Sequence, residues 1–354
     1  MIEPMKAESR RSVRTRAWAL VLAGALALAG IAGLSVRAAS ADPTLPPLTP
    51  AELLGKVAAA DVPGLSATFE QRSDLGLPAL PAGVGDDETA SMLSLLTGTH
   101  TVRVWTAGDH KSKVALVDGA TESALIRNGS DVWAWSSEKQ EAVHSTLPAT
   151  KRPSPTVSPT EAIRTLLTKL DGTTDVTTSG TGYVAGRAVY QLILTPRATE
   201  SLVGQVRVSI DAEHFVPLAA KVLASDGQEA VGVRATAIDF AVPNDSIFAF
   251  QPPAGVTVTA RASSGKGEKA EKPKGGAPKT FGTGWATVTV VTMPTTGTDQ
   301  QAKALLDSLP AVSGSWGKGR LLSTTLLTAV ITDDGRVAVG AVVPDALYRA
   351  LGSR

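Results

Sequence analysis

Between Thr99 and Ser145 the chain breaks into short alternating runs separated by turn signals. The runs are Thr99–Thr106, Ser112–Val117, Glu122–Arg127, Asp131–Ser136 and Glu141–Ser145, and the signals are Gly108-Asp109, Asp118-Gly119 and Asn128-Gly129. Turns of two residues leave no room for a crossover, so strands adjacent in sequence must be antiparallel neighbours in space. The pattern specifies an antiparallel sheet that runs up and down.

The same logic extends along the chain. Leu65–Arg72 alternates, with Leu65, Ala67 and Phe69 on one side. A second meander is expected over Asp175–Ser179, Tyr183–Leu194, Val203–Asp211, Val216–Ala224 and Ala230–Phe240. In the closing segment Val242–Pro253, Phe248 and Phe250 alternate. Thr49-Pro50-Ala51-Glu52 and Ser158-Pro159-Thr160-Glu161 share one helix-start device: a capping hydroxyl, proline at the first helical position and glutamate at the third. Leu53, Leu54, Val57 and Ala58 give the first helix an apolar face, and Ile163, Leu166, Leu167 and Leu170 give the second its own. Asp86–Leu96 reads as a short helix carrying Leu93 and Leu96. The proline-bearing stretch Leu75–Pro81 cannot be a central strand, so residues 75–97 read as a lid over the sheet.

The N-terminus sets the compartment. A basic stretch to Arg16, an apolar run Ala17–Val36 and Ala39-Ser40-Ala41 follow the order of an export signal, placing cleavage before Asp42. The run is also long enough to act as an uncleaved anchor, and both readings put the remainder outside the cytoplasm. After residue 41 there are 28 basic and 31 acidic side chains, a balance that points to no nucleic-acid partner. The chain has no cysteine, hence no disulfide framework, and an exported fold of this kind must rest on its core. Arg261–Lys279 holds six basic and two acidic residues with almost nothing apolar, which predicts a disordered Lys/Gly/Pro-rich loop over 261–280.

Catalytic signatures are not evident. His100, His110, His144 and His214 lack ligand-like spacing and read as surface or strand-edge side chains, so no metal or cofactor is expected. Gly180-Thr-Gly182-Tyr-Val-Ala-Gly186 is read as a hairpin turn rather than a phosphate loop, since no helix follows it. No nucleophile motif is present, and the chain is read as a non-enzyme. Trp133 and Trp135 share one strand face with Trp105 on a nearby strand, and they suit either ordinary core packing or the wall of a hydrophobic cavity.

The order of pieces carries a resemblance. A capped helix precedes Leu65–Arg72; the meander contains Val102-Arg-Val-Trp105, Glu122-Ser-Ala-Leu-Ile-Arg127 and Asn128-Gly-Ser-Asp-Val-Trp-Ala-Trp135; a second capped helix interrupts the sheet. This resembles the periplasmic lipoprotein-carrier (LolA-like) and sigma-E regulator (RseB-like) superfamily in its actinobacterial form. The resemblance implies an α+β fold, a strongly curved antiparallel β half-barrel with short helices covering the concave face. It divides the chain into the signal or anchor 1–41, the half-barrel 42–260, the loop 261–280 and a C-terminal β/α region 281–354 able to complete the same sheet. The implied function is a non-enzymatic binding protein holding a lipid, an acyl chain or a lipidated protein. The resemblance carries over no contact residues, and the apolar positions of the strands and helices give the expected lining as Phe69, Leu93, Leu96, Val102, Val104, Leu116, Trp133, Trp135, Leu166 and Leu170. The alternative is an envelope-stress regulator that binds a membrane-anchored anti-sigma factor.

Overall fold

The computed structural model describes residues 42–76, 97–147, 172–261, 278–292 and 306–353. The export segment, the helices expected over 86–96 and 158–170, most of the lid and most of the basic loop lie outside them.

Helix α1 (Pro50–Ala59) starts as its sequence dictates. Thr49 Oγ1 accepts the Glu52 N–H at 3.3 Å while the Glu52 carboxylate accepts the Thr49 N–H at 2.8 Å. These reciprocal bonds satisfy backbone donors that the first turn leaves open. Leu53 points inward and is fully buried.

The large sheet contains β1 (Gly64–Ser73), β2 (Gly98–Ala107), β3 (Lys111–Asp118), β4 (Thr121–Asn128), β5 (Asp131–Ser136) and β6 (Glu141–Thr146). Its other strands are β7 (Thr174–Val184), β8 (Arg187–Pro196), β9 (Val203–Asp211), β10 (Pro217–Ala224), β11 (Glu229–Asp239) and β12 (Thr257–Arg261). The spatial order is β12-β6-β5-β4-β3-β2-β1-β11-β10-β9-β8-β7. It is curved and not closed, as the half-barrel expectation requires. Every pair is antiparallel except β12 beside β6. Bulges at Thr68/Phe69, Thr178/Thr181, Pro217/Ala219 and Val222/Leu223 bend the strands locally. The segment read as a glycine turn is strand as far as Val184, and the reversal falls at Ala185-Gly186, both at positive φ.

The C-terminal strands do not complete the large sheet. Strands β13 (Lys279–Phe281), β14 (Val288–Thr292), β15 (Ala311–Gly314), β16 (Gly317–Ser323), β17 (Thr328–Thr332) and β18 (Arg336–Gly340) form a separate sheet in the order β13-β14-β18-β17-β16-β15. The ends of the basic segment are therefore strand: Arg261 closes β12 and Lys279 opens β13. Helix α2 (Pro344–Gly352) explains the separation. Its Ala346, Leu347, Ala350 and Leu351 bury one face of this sheet in a core of its own with Val330 and Val342. Arg336 ties helix to sheet by donating to the carbonyls of Leu351 at 2.9 Å and Trp316 at 2.7 Å. The two units meet through a bridge between Ser201 and Val342, flanking bonds to Glu200 and Leu202, and Trp285 Nε1 donating to Thr174 Oγ1 at 2.8 Å.

Candidate functional site

Register decides which side chains share a surface, because opposed residues of neighbouring strands point to one face. One row runs Thr178, Leu192, Val208, Ala220, Val233, Gln71 and His100. Leu192 packs on Leu53 of α1, so this row marks the α1 face. Val102 and Val104, two and four residues beyond His100, belong to the same face. Phe69 is opposed to Val102, and Val102 to Leu116. Leu65, Ala67, Val102 and Val104 are buried there, with Phe69, Val114, Leu116, Ile238 and Phe240 packed against them.

Trp133 and Trp135 lie on the opposite face. Trp135 is opposed to Ala124, Ala124 to Ala115, and Ala115 to Arg103. Trp105, Lys113, Ile126, Trp133 and His144 form the adjacent row. The ten proposed lining residues thus do not form one surface. Phe69, Val102, Val104 and Leu116 gather on the α1 face, Trp133 and Trp135 on the aromatic face, and Leu93, Leu96, Leu166 and Leu170 lie outside the described residues.

The cause is one residue. Ala107 is opposed to Lys111, so the β2–β3 connection has three residues, Gly108, Asp109 and His110, with Gly108 at φ +60°. A two-residue turn at Gly108-Asp109 would have put Val102 and Val104 on the tryptophan side. The β3–β4 and β4–β5 turns do have two residues, since Asp118 is opposed to Thr121 and Asn128 to Asp131.

The buried face changes along the meander. In β1 and β2 the α1 face is dry, whereas in β4 Ala124 and Ile126 are buried on the aromatic face. Leu125, between them, stands 55% exposed on the α1 face. The row through Val104 continues through Val114, Leu125, Ala134 and Val143 without a break in register. An apolar strip therefore runs from the core to the exposed Leu125 and Ala134 and the half-buried Val143.

The aromatic face is covered by the segment after β11. A 3-10 turn at Asp245–Phe248 buries Phe248 and brings Phe250 to Trp133 and Trp135, at ring distances of 5.4 and 5.9 Å. The Lys111 ammonium holds the turn through Asp245 at 2.7 Å. A cleft of about 440 Å³ remains, lined by Trp105, Lys113, Ile126, Ile247, Phe250 and Gln251 among others. Of these, alternation in the sequence signalled Phe250; Lys113, Ile126, Ile247 and Gln251 had no individual signal.

The histidines hold structure. His144 stacks on Trp133 at 4.3 Å and its Nε2 lies 3.0 Å from Asp131. His214 stacks on Phe240 at 3.7 Å and its Nδ1 lies 3.0 Å from Arg187. His100, expected at the surface or a strand edge, is buried beside Gln71. Arg187 also pairs with the buried Asp211, which accepts the backbone N–H groups of Glu213 at 3.0 Å and His214 at 2.6 Å. Burial pushes the Asp211 carboxyl up, but its bonds to Arg187 and the two N–H groups, with the guanidinium charge, outweigh burial and hold it below the ordinary value. The cluster pins the β9–β10 turn to β8. Among the described residues no group of three or more His, Asp or Glu side chains is placed to hold a metal ion.

No protein-family model and no curated protein matches the chain. Among solved structures it is similar to MucB in complex with MucA(peri), with 16% identity, a TM-score of 0.45, and coverage of 84% of this chain and 96% of that one. It is similar also to MucB in the Pseudomonas aeruginosa MucA/MucB complex, with 15% identity, a TM-score of 0.43, and coverage of 85% and 96%. A LolA superfamily protein from Nitrosomonas europaea shows 14% identity and a TM-score of 0.22, over 58% of this chain and 99% of that one. These likenesses are of architecture, and they assign no ligand.

Proposed function

We propose that the chain is an exported, non-enzymatic binding protein whose α1 face holds a lipid, an acyl chain or the acyl chains of a lipidated protein. The observation that carries this reading is the strip from Val104 through Val114 to the exposed Leu125 and Ala134 and the half-buried Val143. A single exposed apolar side chain is ordinary, but a contiguous apolar row that continues out of the core is the kind of surface that binds an apolar partner. Covering the exposed length with an acyl chain is worth roughly 0.8 kcal/mol per methylene, so a chain of ordinary length binds without a dedicated polar contact. Phe69, Val102, Val104 and Leu116 form the buried end of the strip.

The test is binding of a fluorescent long-chain fatty acid to Ala249→Phe, in which the cleft on the aromatic face is filled, and to the same protein carrying Leu125→Asp. The charge lies at an exposed position and leaves the fold intact, so binding should fall at least tenfold with unchanged circular dichroism. Equal binding by both proteins would contradict the reading.

The second reading is docking of a membrane-anchored regulatory protein. It draws on the β15 edge of the small sheet, where Ala311, Ser313 and Gly314 are exposed and no further strand pairs among the described residues. Such an edge accepts a partner strand through main-chain hydrogen bonds. Co-purification of a membrane protein, lost on introducing proline at Val312 and kept in Leu125→Asp, would favour it.

A further inference from the structure

The cleft on the aromatic face faces away from the strip proposed above and is a separate cavity. Its walls are braced by packing and one ion pair. Phe250 is held against Trp133 and Trp135, Trp133 is backed by His144, and the turn carrying the segment is anchored by buried Phe248 and by the Lys111–Asp245 pair. The lining is mixed: Ile126, 1% exposed, forms the floor with Trp105 and Phe250 beside it, and Ser246, Gln251 and Lys113 supply polar groups. A cleft of about 440 Å³ is within the range that takes a small organic molecule.

Its charge is one-sided. Among the lining residues Lys113 is the charged one. Its ammonium lies 5.5 Å from the Trp105 ring centroid and 3.3 Å from Glu122, which does not line the cleft. A cation set over an aromatic wall, beside a dry floor, selects a ligand by the sign of its head group. We propose that this cleft binds an amphiphile with an apolar body and a single anionic head. The body lies over Ile126 between Trp105 and Phe250, and the head meets Lys113, which it shares with Glu122.

The site is readable in the protein's own fluorescence, because Trp105 lines it and Trp133 and Trp135 back Phe250. The experiment titrates the intact protein with decanoate and with decan-1-ol. Decanoate should quench saturably. Lys113→Met should weaken decanoate about tenfold and leave decan-1-ol unchanged, whereas Glu122→Gln should tighten decanoate by releasing the ammonium. Ala249→Phe, at an exposed lining position, should fill the cleft and remove both signals with circular dichroism unchanged. Leu125→Asp, on the other face, should leave the titration as in the wild type, so this site and the acyl strip fail independently. The proposal is overturned if decanoate gives no saturable change, if Lys113→Met weakens both ligands equally, or if Ala249→Phe binds like the wild type.

Discussion

Strands β1–β2 and β4–β5 belong to one continuous ladder, yet they bury opposite faces. In the first pair Leu65, Ala67, Val102 and Val104 are dry on the α1 side. In the second, Ala124 and Ile126 are dry on the side of the tryptophans, under the Phe248–Phe250 segment. The difference shows that alternation along a strand fixes a dry face only relative to what covers it. Between the two regions the buried side changes, and Leu125 and Ala134 stand exposed on the α1 face.

The largest effects should separate the two faces of β4. Ile126→Asp puts an unpaired carboxylate at a position 1% exposed and should cost more than about 4 kcal/mol, preventing folding or collapsing the melting temperature. Leu125→Asp, one residue away, should change stability by less than about 1 kcal/mol. Equal damage from both would mean that β4 does not bury the aromatic side.

Next in size is the Arg187–Asp211 pair, which fixes the β9–β10 turn at the far side of the sheet. Arg187→Met leaves the Asp211 carboxylate, 1% exposed, without its cation and should cost about 3 kcal/mol in a denaturant melt. The pH dependence follows from the depressed folded-state value of Asp211. Its contribution is fully present above the ordinary carboxyl value of 3.8 and is lost as pH falls through the lower folded value. Wild type and Arg187→Met should therefore converge in acid.

A smaller acid effect belongs to the separate C-terminal unit. The Asp334 carboxyl, hydrogen-bonded by Arg336 and the Thr332 hydroxyl, is lowered from 3.8 to about 2. Its contribution is present above pH 3.8 and fades as pH falls towards 2, a window in which Asp334→Asn should remove the slope of unfolding free energy against pH. The smallest effect is Thr49→Ala, which removes the α1 cap and should cost about 1 kcal/mol.

The meander was legible because turn chemistry is local. Asp118-Gly119 and Asn128-Gly129 specify two-residue turns, and the chain reverses at both. The Thr49-Pro50-Ala51-Glu52 cap was legible for the same reason. Parity across β2–β3 was not, because Gly108-Asp109 suits both a two-residue and a three-residue connection, and His110 decides the matter through the ladder around it. That single residue separates Val102 and Val104 from Trp133 and Trp135. The independence of the C-terminal sheet was hidden too, since it depends on α2 burying Leu347 and Leu351 against Val330 and Val342, contacts remote in sequence. Lys113 was invisible as a cleft residue because its neighbours Trp105 and Ile126 come from other strands.

We propose that the strip ending at Leu125 on the α1 face holds an acyl chain. The most direct measurement is photo-crosslinking of a diazirine-labelled long-chain fatty acid to the Ala249→Phe protein, whose aromatic cleft is filled, followed by mapping of the labelled peptides. Label is expected on the α1-face positions of β3–β6, centred on Leu116, Leu125 and Val143 and competed away by unlabelled fatty acid. Label confined to the aromatic face, or no competable label on a natively folded protein, would contradict it.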